Sequence, residues 1–494
     1  MLFVQDAFFL KTVKQLPIYF LGRIFPAGVA FVGISIYAHL LDPSSFGAYA
    51  ILISVSFLVG MTGFSWLRNA VLRMLATISA EEEPDFLATC IVSFTCTALV
   101  VVLVLVGVLR LYNAGLSLSM VALTAVSAVA SSWFELNITV AQAKGRLSIL
   151  SGLQIARSLA SLGATLVFIK MGYREGGLLG GFVVGNLVSI GSAGFWSAAV
   201  RGRYRRGVFS RLFGFGWPSS VAALNNISPT FMRYMLEVTG SMAVVGIYSA
   251  ASDFAGQTVS LLIGTASLAG QPLAFRARDR GTYEDLMTQL RANASIIFVI
   301  GLGATVGLIT LAGPIAHVYF GSKFQAYSGS LIPFVLTLAA VGVLFSGLRG
   351  VYFEQAFEIA YVTWPLAVIM VARTISTVAL GFFAVRSYGI VGAAITVLFT
   401  DIWSSGLSFV WGRRFVVMPI PVQNFMKTCF ASAVISVVLF LMPNRDTIFG
   451  LSASILVGVL VYGVILALCF DRQLAVIQTF LRRVRELRGR LTRP

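Results

Sequence analysis

Arg23, Arg157, Arg233 and Arg373 each interrupt a long apolar stretch, and so do Glu135, Asp253, Glu354 and Asp401. A charged side chain at the centre of a membrane-spanning helix costs about 2.5–3.5 kcal/mol on insertion scales, so it faces a partner or a wet cavity rather than lipid. Two readings follow. The arginines could line a cationic cavity that receives an anionic substrate, with the four acids as coupling groups. Alternatively, Glu135 with Arg157 and Glu354 with Arg373 form ion pairs that only staple helices together. Arg23 and Arg233 have no obvious partner nearby in the sequence. In every case the chemistry is electrostatic capture, not the making or breaking of bonds.

Groups for bond-breaking chemistry are scarce. His39 and His317 are the only histidines, near the outer ends of apolar stretches, which gives poor support to a Ser-His-Asp arrangement, a histidine acid/base pair or a metal site. Cys90, Cys96, Cys429 and Cys469 sit in apolar runs without CxxC spacing and read as buried, inert thiols. The P-loop pattern is absent, so the chain is not itself an ATPase. No catalytic residue, cofactor or metal is expected.

The elements that must position these charges are apolar helices. Of 494 residues, 58% are hydrophobic and 11% charged, against about 25% charged in soluble chains. The mean hydropathy is +0.89. The expected fold is therefore an all-α polytopic membrane protein. A spanning helix needs about 20 mostly apolar residues. On that template fourteen segments stand out, near 16–41, 45–67, 86–109, 117–141, 147–169, 176–200, 212–236, 245–271, 292–318, 329–349, 360–385, 388–412, 425–443 and 448–470. Lys11 and Lys14 before the first run resemble a signal peptide, but the run exceeds the usual 7–15 residues and lacks a clear cleavage site, so it reads as a retained helix. Asp42 caps the outer end of that helix.

Sidedness follows from the basic residues. With the N-terminus in the cytoplasm, 26 Lys and Arg fall in cytoplasmic segments and 6 on the opposite face, the four intramembrane arginines making up the 36. That alternation obeys the positive-inside rule and places both termini in the cytoplasm. It also explains the net charge of +17 without nucleic acid as a partner. The tail from Asp471 continues as a basic amphipathic helix that could lie on the anionic inner leaflet or serve only as a positive flank.

The chain repeats itself. Phe134-Glu135 and Ala156-Arg157 are echoed by Phe353-Glu354 and Ala372-Arg373, and Asn186, Gly191 and Trp196 recur as Asp401, Gly406 and Trp411. Gly47-Ala-Tyr49-Ala matches Gly246-Ile-Tyr248-Ser. In order and in equivalent helices, these matches suggest two pseudo-symmetric six-helix halves, 1–211 and 212–412. Two further helices occupy 413–470 and the basic tail 471–494. Chance similarity among apolar helices is the bland alternative. Because six is even, the halves would be related by an axis along the membrane normal, which suits rocking transport. Pro26, Pro218 and Pro229 make the first helix of each half a candidate moving gate. The glycines of 176–185 and 301–307 read as close helix packing.

Three stretches carry a family resemblance: Leu41-Asp-Pro-Ser-Ser-Phe46-Gly47-Ala-Tyr49-Ala, Gln142-Ala-Lys-Gly145-Arg146 and Val245-Gly246-Ile-Tyr248-Ser-Ala. The chain resembles the Wzx-type polysaccharide flippases of the multidrug/oligosaccharidyl-lipid/polysaccharide exporter superfamily. That resemblance implies a bacterial inner-membrane protein moving undecaprenyl-pyrophosphate-linked oligosaccharide from the cytoplasmic to the periplasmic leaflet, for surface polysaccharide biosynthesis. It implies membrane lipids, a polysaccharide polymerase and a chain-length regulator as partners. It also assigns Arg23 and Asp42 to the cavity, because arginines and an aspartate on the first helix line it in the related lipid II flippases. Arg23 and Arg233, with Arg157 and Arg373 if unpaired, would attract the pyrophosphate. A cation-coupled drug exporter of the same superfamily, or a membrane polysaccharide polymerase or ligase, would be the rival.

Overall fold

The computed structural model describes residues 22, 24–75, 77–113, 116–224, 227–362, 364–443 and 445–469. Arg23 and the basic tail from Asp471 lie outside the described residues. Helices account for the regular structure of the described residues, and no strand occurs among them. They are, in order, α1 (Ile24–Leu40), α2 (Pro43–Met74), α3 (Glu83–Tyr112), α4 (Leu118–Ala143), α5 (Leu147–Lys170) and α6 (Arg174–Leu187). A 3-10 segment (Val188–Arg201) extends α6. Then come α7 (Arg206–Ala223), α8 (Ile227–Thr239), α9 (Met242–Arg280), α10 (Tyr283–Thr310), α11 (Ala312–Tyr319) and α12 (Ser322–Ser328). Last are α13 (Leu331–Leu348), a π-helical turn (Arg349–Phe353), α14 (Gln355–Ile359), α15 (Trp364–Gly412), α16 (Val422–Leu441) and α17 (Ile448–Cys469).

Nine helices among the described residues are long and apolar enough to cross a bilayer. Their outward faces confirm the solvent. On α3, Leu99, Leu103 and Leu111 are 63%, 73% and 90% exposed, an apolar stripe that water would penalise and lipid accepts. The protein is a multi-pass membrane protein.

Local chemistry sets the helix ends. Asp42 is the N-cap of α2, accepting hydrogen bonds from the Ser45 N–H (3.2 Å) and the Ser45 hydroxyl (3.1 Å), with Pro43 at the first helical position. It thus caps the start of α2 and not, as the sequence suggested, the end of α1. The dipole explains this, since a carboxylate is favoured at a helix N-terminus and disfavoured at a C-terminus. Thr282 and Asp285 form a capping box on α10. At 49 residues, α15 would run about 74 Å if straight, far beyond a hydrocarbon core of about 30 Å. Gly389 breaks it, at φ 54° and ψ −131°, and Gly392 then packs so closely on the Ala384 carbonyl that a Cβ there would collide. The segment expected at 212–236 is likewise two helices: Pro218 lies inside α7, and Pro229 falls in the first turn of α8, where its missing N–H is harmless.

The chain forms two compact units. The first comprises the described residues up to Gln257 together with Phe320–Gly329 and Ala367–Thr400. Within it α2 packs on α4, α7 and α8, and α5 lies against α6. Glycines permit the last contact, since a Cβ on Gly181 or Gly185 would strike Thr165 or the Arg157 carbonyl and Ser161. The second comprises Thr258–Tyr319, Ser330–Leu366 and the described residues from Asp401. There α10 packs on α13 and α16, and α16 on α17.

Candidate functional site

The first unit concentrates charge at one place. Glu135 on α4 lies between two guanidinium groups: Arg157 of α5, at 3.4 Å, and Arg68 of α2, at 3.8 Å. Arg157 also stacks over the rings of Phe134 (4.5 Å) and Phe182 (5.5 Å). Such contacts hold a cation without neutralising it. Arg68 leans on the Met61 sulfur. All three charged side chains are a quarter to two-fifths exposed. They line a cleft together with Ser65, Ser131 and Ser132 and with Phe57, Phe64 and Phe94. Its free volume is about 30 Å³, room for about two waters. Two cations on one carboxylate leave a net charge of +1 inside apolar helices.

The arrangement can do one thing chemically. It presents two planar, permanently charged forks to an anion, in surroundings where charge is poorly screened. The hydroxyls of Ser65, Ser131 and Ser132 donate to helix carbonyls and not to Glu135.

The family model described as "Polysaccharide biosynthesis protein" matches residues 36–329. The chain belongs to this polysaccharide biosynthesis protein family. A Shigella flexneri protein named "Putative O-antigen transporter" is 24% identical over 402 residues, 76% of this chain and 91% of that protein. The fold is that of the superfamily named from the sequence. A lipid II flippase, MurJ, in an inward closed conformation superposes with a TM-score of 0.73 at 16% identity, covering 92% of this chain and 99% of that one. An inward-facing multidrug resistance MATE transporter of the MOP superfamily gives 0.62 at 17%, covering 80% and 97%. The resemblance to the Wzx-type flippases thus holds. The chain is a member of the polysaccharide biosynthesis protein family with the fold of these flippases and exporters.

Of the other intramembrane charges among the described residues, Arg233 and Glu354 have ion-pair partners of their own. Arg233 of α8 is buried, donating to Asp253 of α9 at 2.7 Å and to the Ala50 carbonyl of α2 at 3.2 Å. It therefore has the partner that the sequence did not reveal, twenty residues on, because α8 ends at Thr239 and α9 doubles back beside it. Glu354 takes Arg349 (2.8 Å) in place of the expected Arg373, since the π-helical turn swings Arg349 inward beside it, where both are buried. Arg373 lies half-buried on α15 in the first unit, and Asp401 is buried on α15 in the second. Asp42 serves as the α2 cap.

Arg68 and Arg349 are the residues that sequence reasoning missed. Both stand at the ends of expected apolar segments, 45–67 and 329–349, among the basic residues counted as cytoplasmic. In fact α2 runs seven residues beyond the expected end at Leu67, because nothing before Leu75 breaks it. The helix–π–helix run from α13 to α14 likewise passes Arg349 and reaches Ile359. The missing signal was the absence of Gly or Pro after Leu67.

Proposed function

We propose that this membrane protein carries an undecaprenyl-pyrophosphate-linked oligosaccharide from the cytoplasmic to the periplasmic leaflet of the bacterial inner membrane, with both termini in the cytoplasm. The observation that carries this is the cleft of Arg68, Glu135 and Arg157. A pyrophosphate bearing sugars cannot cross hydrocarbon unaided, whereas its polyprenyl tail remains in lipid. Two guanidinium groups offer it charge-assisted hydrogen bonds, and Glu135 holds them in place until it arrives. With space for about two waters, the cleft must widen to admit phosphate. Alternating access of two halves, 1–211 and 212–412, would supply that opening. An inside-negative potential favours outward movement of an anion by about 2.3 kcal/mol per charge per 100 mV.

Reconstitution into vesicles loaded with fluorescent lipid-linked oligosaccharide tests the reading. Wild-type protein should transfer it between leaflets, and Arg68→Gln with Arg157→Gln should abolish transfer while the protein still folds. Full transfer by that double variant would remove the cleft from the mechanism. Export of cationic drugs without glycolipid transfer would favour the drug-exporter rival.

A further inference from the structure

The second unit holds a pocket, lined by both charged and apolar side chains, that the cleft does not explain. It has a volume of about 280 Å³, just under the ~300–1,000 Å³ typical of small-molecule sites. One wall is the last turns of α9, where Phe275, Arg278 and Asp279 line it and Gln271 lies one turn before them on the same face. The other wall is Glu358, Ile359 and Tyr361, at and just past the end of α14. Gln271 donates to Glu358 at 3.0 Å, and the Tyr361 hydroxyl donates to Asp279 at 3.2 Å.

Tyr361 is anomalous. After α14 the Tyr361 N–H bonds the Glu358 carbonyl (3.1 Å) and the Val362 N–H bonds the Phe357 carbonyl (2.9 Å), the double closure of a Schellman motif. The residue at that corner is left-handed, at φ 58°, and glycine normally fills it. Among the described residues no other non-glycine has positive φ. A left-handed bulky residue is strained by roughly 1–2 kcal/mol. Burial does not offset this, because Tyr361 is 79% exposed. What the tyrosine gains is position: its side chain lines the pocket and its hydroxyl reaches Asp279. Strain of this kind points to use of the side chain.

The lining selects a ligand class. Phe275 and Tyr361 offer two ring faces, Asp279 and Glu358 accept hydrogen bonds from hydroxyl groups, and Arg278 donates. Two carboxylates against one arginine repel a phosphate. Groups of three or more metal-binding side chains are absent among the described residues. We infer that this pocket binds a neutral sugar ring of the cargo's glycan, at the membrane face where α9 carries Arg276 and Arg278. The inference rests on the cargo being a lipid-linked oligosaccharide.

The test uses the full chain in nanodiscs and, as probe, the neutral oligosaccharide obtained by dephosphorylating the host's own repeat unit, with binding followed by calorimetry. Wild type should bind it. Asp279→Asn and Tyr361→Gly should each weaken binding at least tenfold, while Arg157→Gln leaves it unchanged. Tyr361→Gly should also raise the melting temperature, since glycine relieves the corner; a purely structural tyrosine predicts that rise with binding intact. Absence of oligosaccharide binding, or binding indifferent to both pocket variants, overturns the pocket. If vesicles still transfer lipid-linked oligosaccharide in that event, the proposed function stands and the pocket alone falls. If wild type binds the sugar but transfers nothing, the pocket stands and the transport reading falls.

Discussion

Gly47 and Gly246 meet backbone to backbone, each in the first turns of its helix. A Cβ on Gly47 would collide with the Met242 carbonyl, and one on Gly246 would collide with the Pro43 carbonyl. Each glycine thus packs against the residue four positions before the other. These are the two glycines that the sequence repeat set in register, so the contact between α2 and α9 is itself two-fold in character.

Gly47→Ala and Gly246→Ala should therefore each lower stability by about 1–3 kcal/mol, the usual effect of overpacking against backbone that cannot yield. Gly28→Ala in α1 is the control, because nothing lies within 4 Å of a Cβ there. It should be neutral or stabilise by up to about 1 kcal/mol. Thermal unfolding in detergent would measure all three. Equal effects at Gly28 and Gly47 would contradict the tight crossing.

The Arg233–Asp253 pair, its arginine buried and its aspartate part-exposed, permits a separation of stapling from function. Arg233→Met alone leaves Asp253 without its partner and, because that carboxylate keeps some contact with solvent, should destabilise by about 1–3 kcal/mol. Arg233→Met combined with Asp253→Leu removes both charges and should recover most of that loss. Recovery of transfer along with stability would make the pair a staple. Recovery of stability without transfer would give the charges a working role.

Much of the fold is legible in the sequence because lipid imposes a length and a composition on every helix. Each of the fourteen apolar segments overlaps a helix among the described residues, and the interruption expected between 385 and 388 falls at Gly389. Helix ends were less legible. Lipid does not stop a helix at the bilayer edge, so α2 continues past Leu67 and carries Arg68 into the cleft. Ion-pair partners were least legible of all. Glu135 meets Arg157 through the adjacent hairpin of α4 and α5, as their order suggests. Glu354 meets Arg349 only because a π-helical turn intervenes, and the apolar pattern is blind to one extra residue per turn.

Acid should loosen the start of α2. Burial and its hydrogen bonds act in opposite senses on the Asp42 carboxyl: burial raises its pKa, but the Ser45 N–H, its own N–H, the Ser45 hydroxyl and the positive charge of Arg174 outweigh it and hold the pKa below the ordinary carboxylate range. A depressed pKa in the folded state means that the stabilisation is complete above the unfolded value of about 3.9 and fades as pH falls through the folded one. Asp42→Ala should lower stability by about 0.5–2 kcal/mol at neutral pH. The gap between variant and wild type should close below about pH 4. A gap independent of pH would show that Asp42 acts by packing alone.

Glu135 competes with the anion that Arg68 and Arg157 would hold, and this competition can be measured. In Glu135→Gln the two guanidinium groups lose their shared counter-charge. The empty protein should be less stable by about 1–2 kcal/mol, less than for a sealed pair because the three side chains keep some contact with solvent. Added inorganic pyrophosphate should then bind more tightly than to wild type, about tenfold, equivalent to about 1.4 kcal/mol. Because a ligand stabilises the state that binds it, the variant's melting temperature should rise further with pyrophosphate than the wild type's. Arg157→Gln should abolish the rise in both backgrounds. An identical rise in wild type and Glu135→Gln would mean that the carboxylate does not occupy the anion's place, and that the cleft is a staple rather than a receptor.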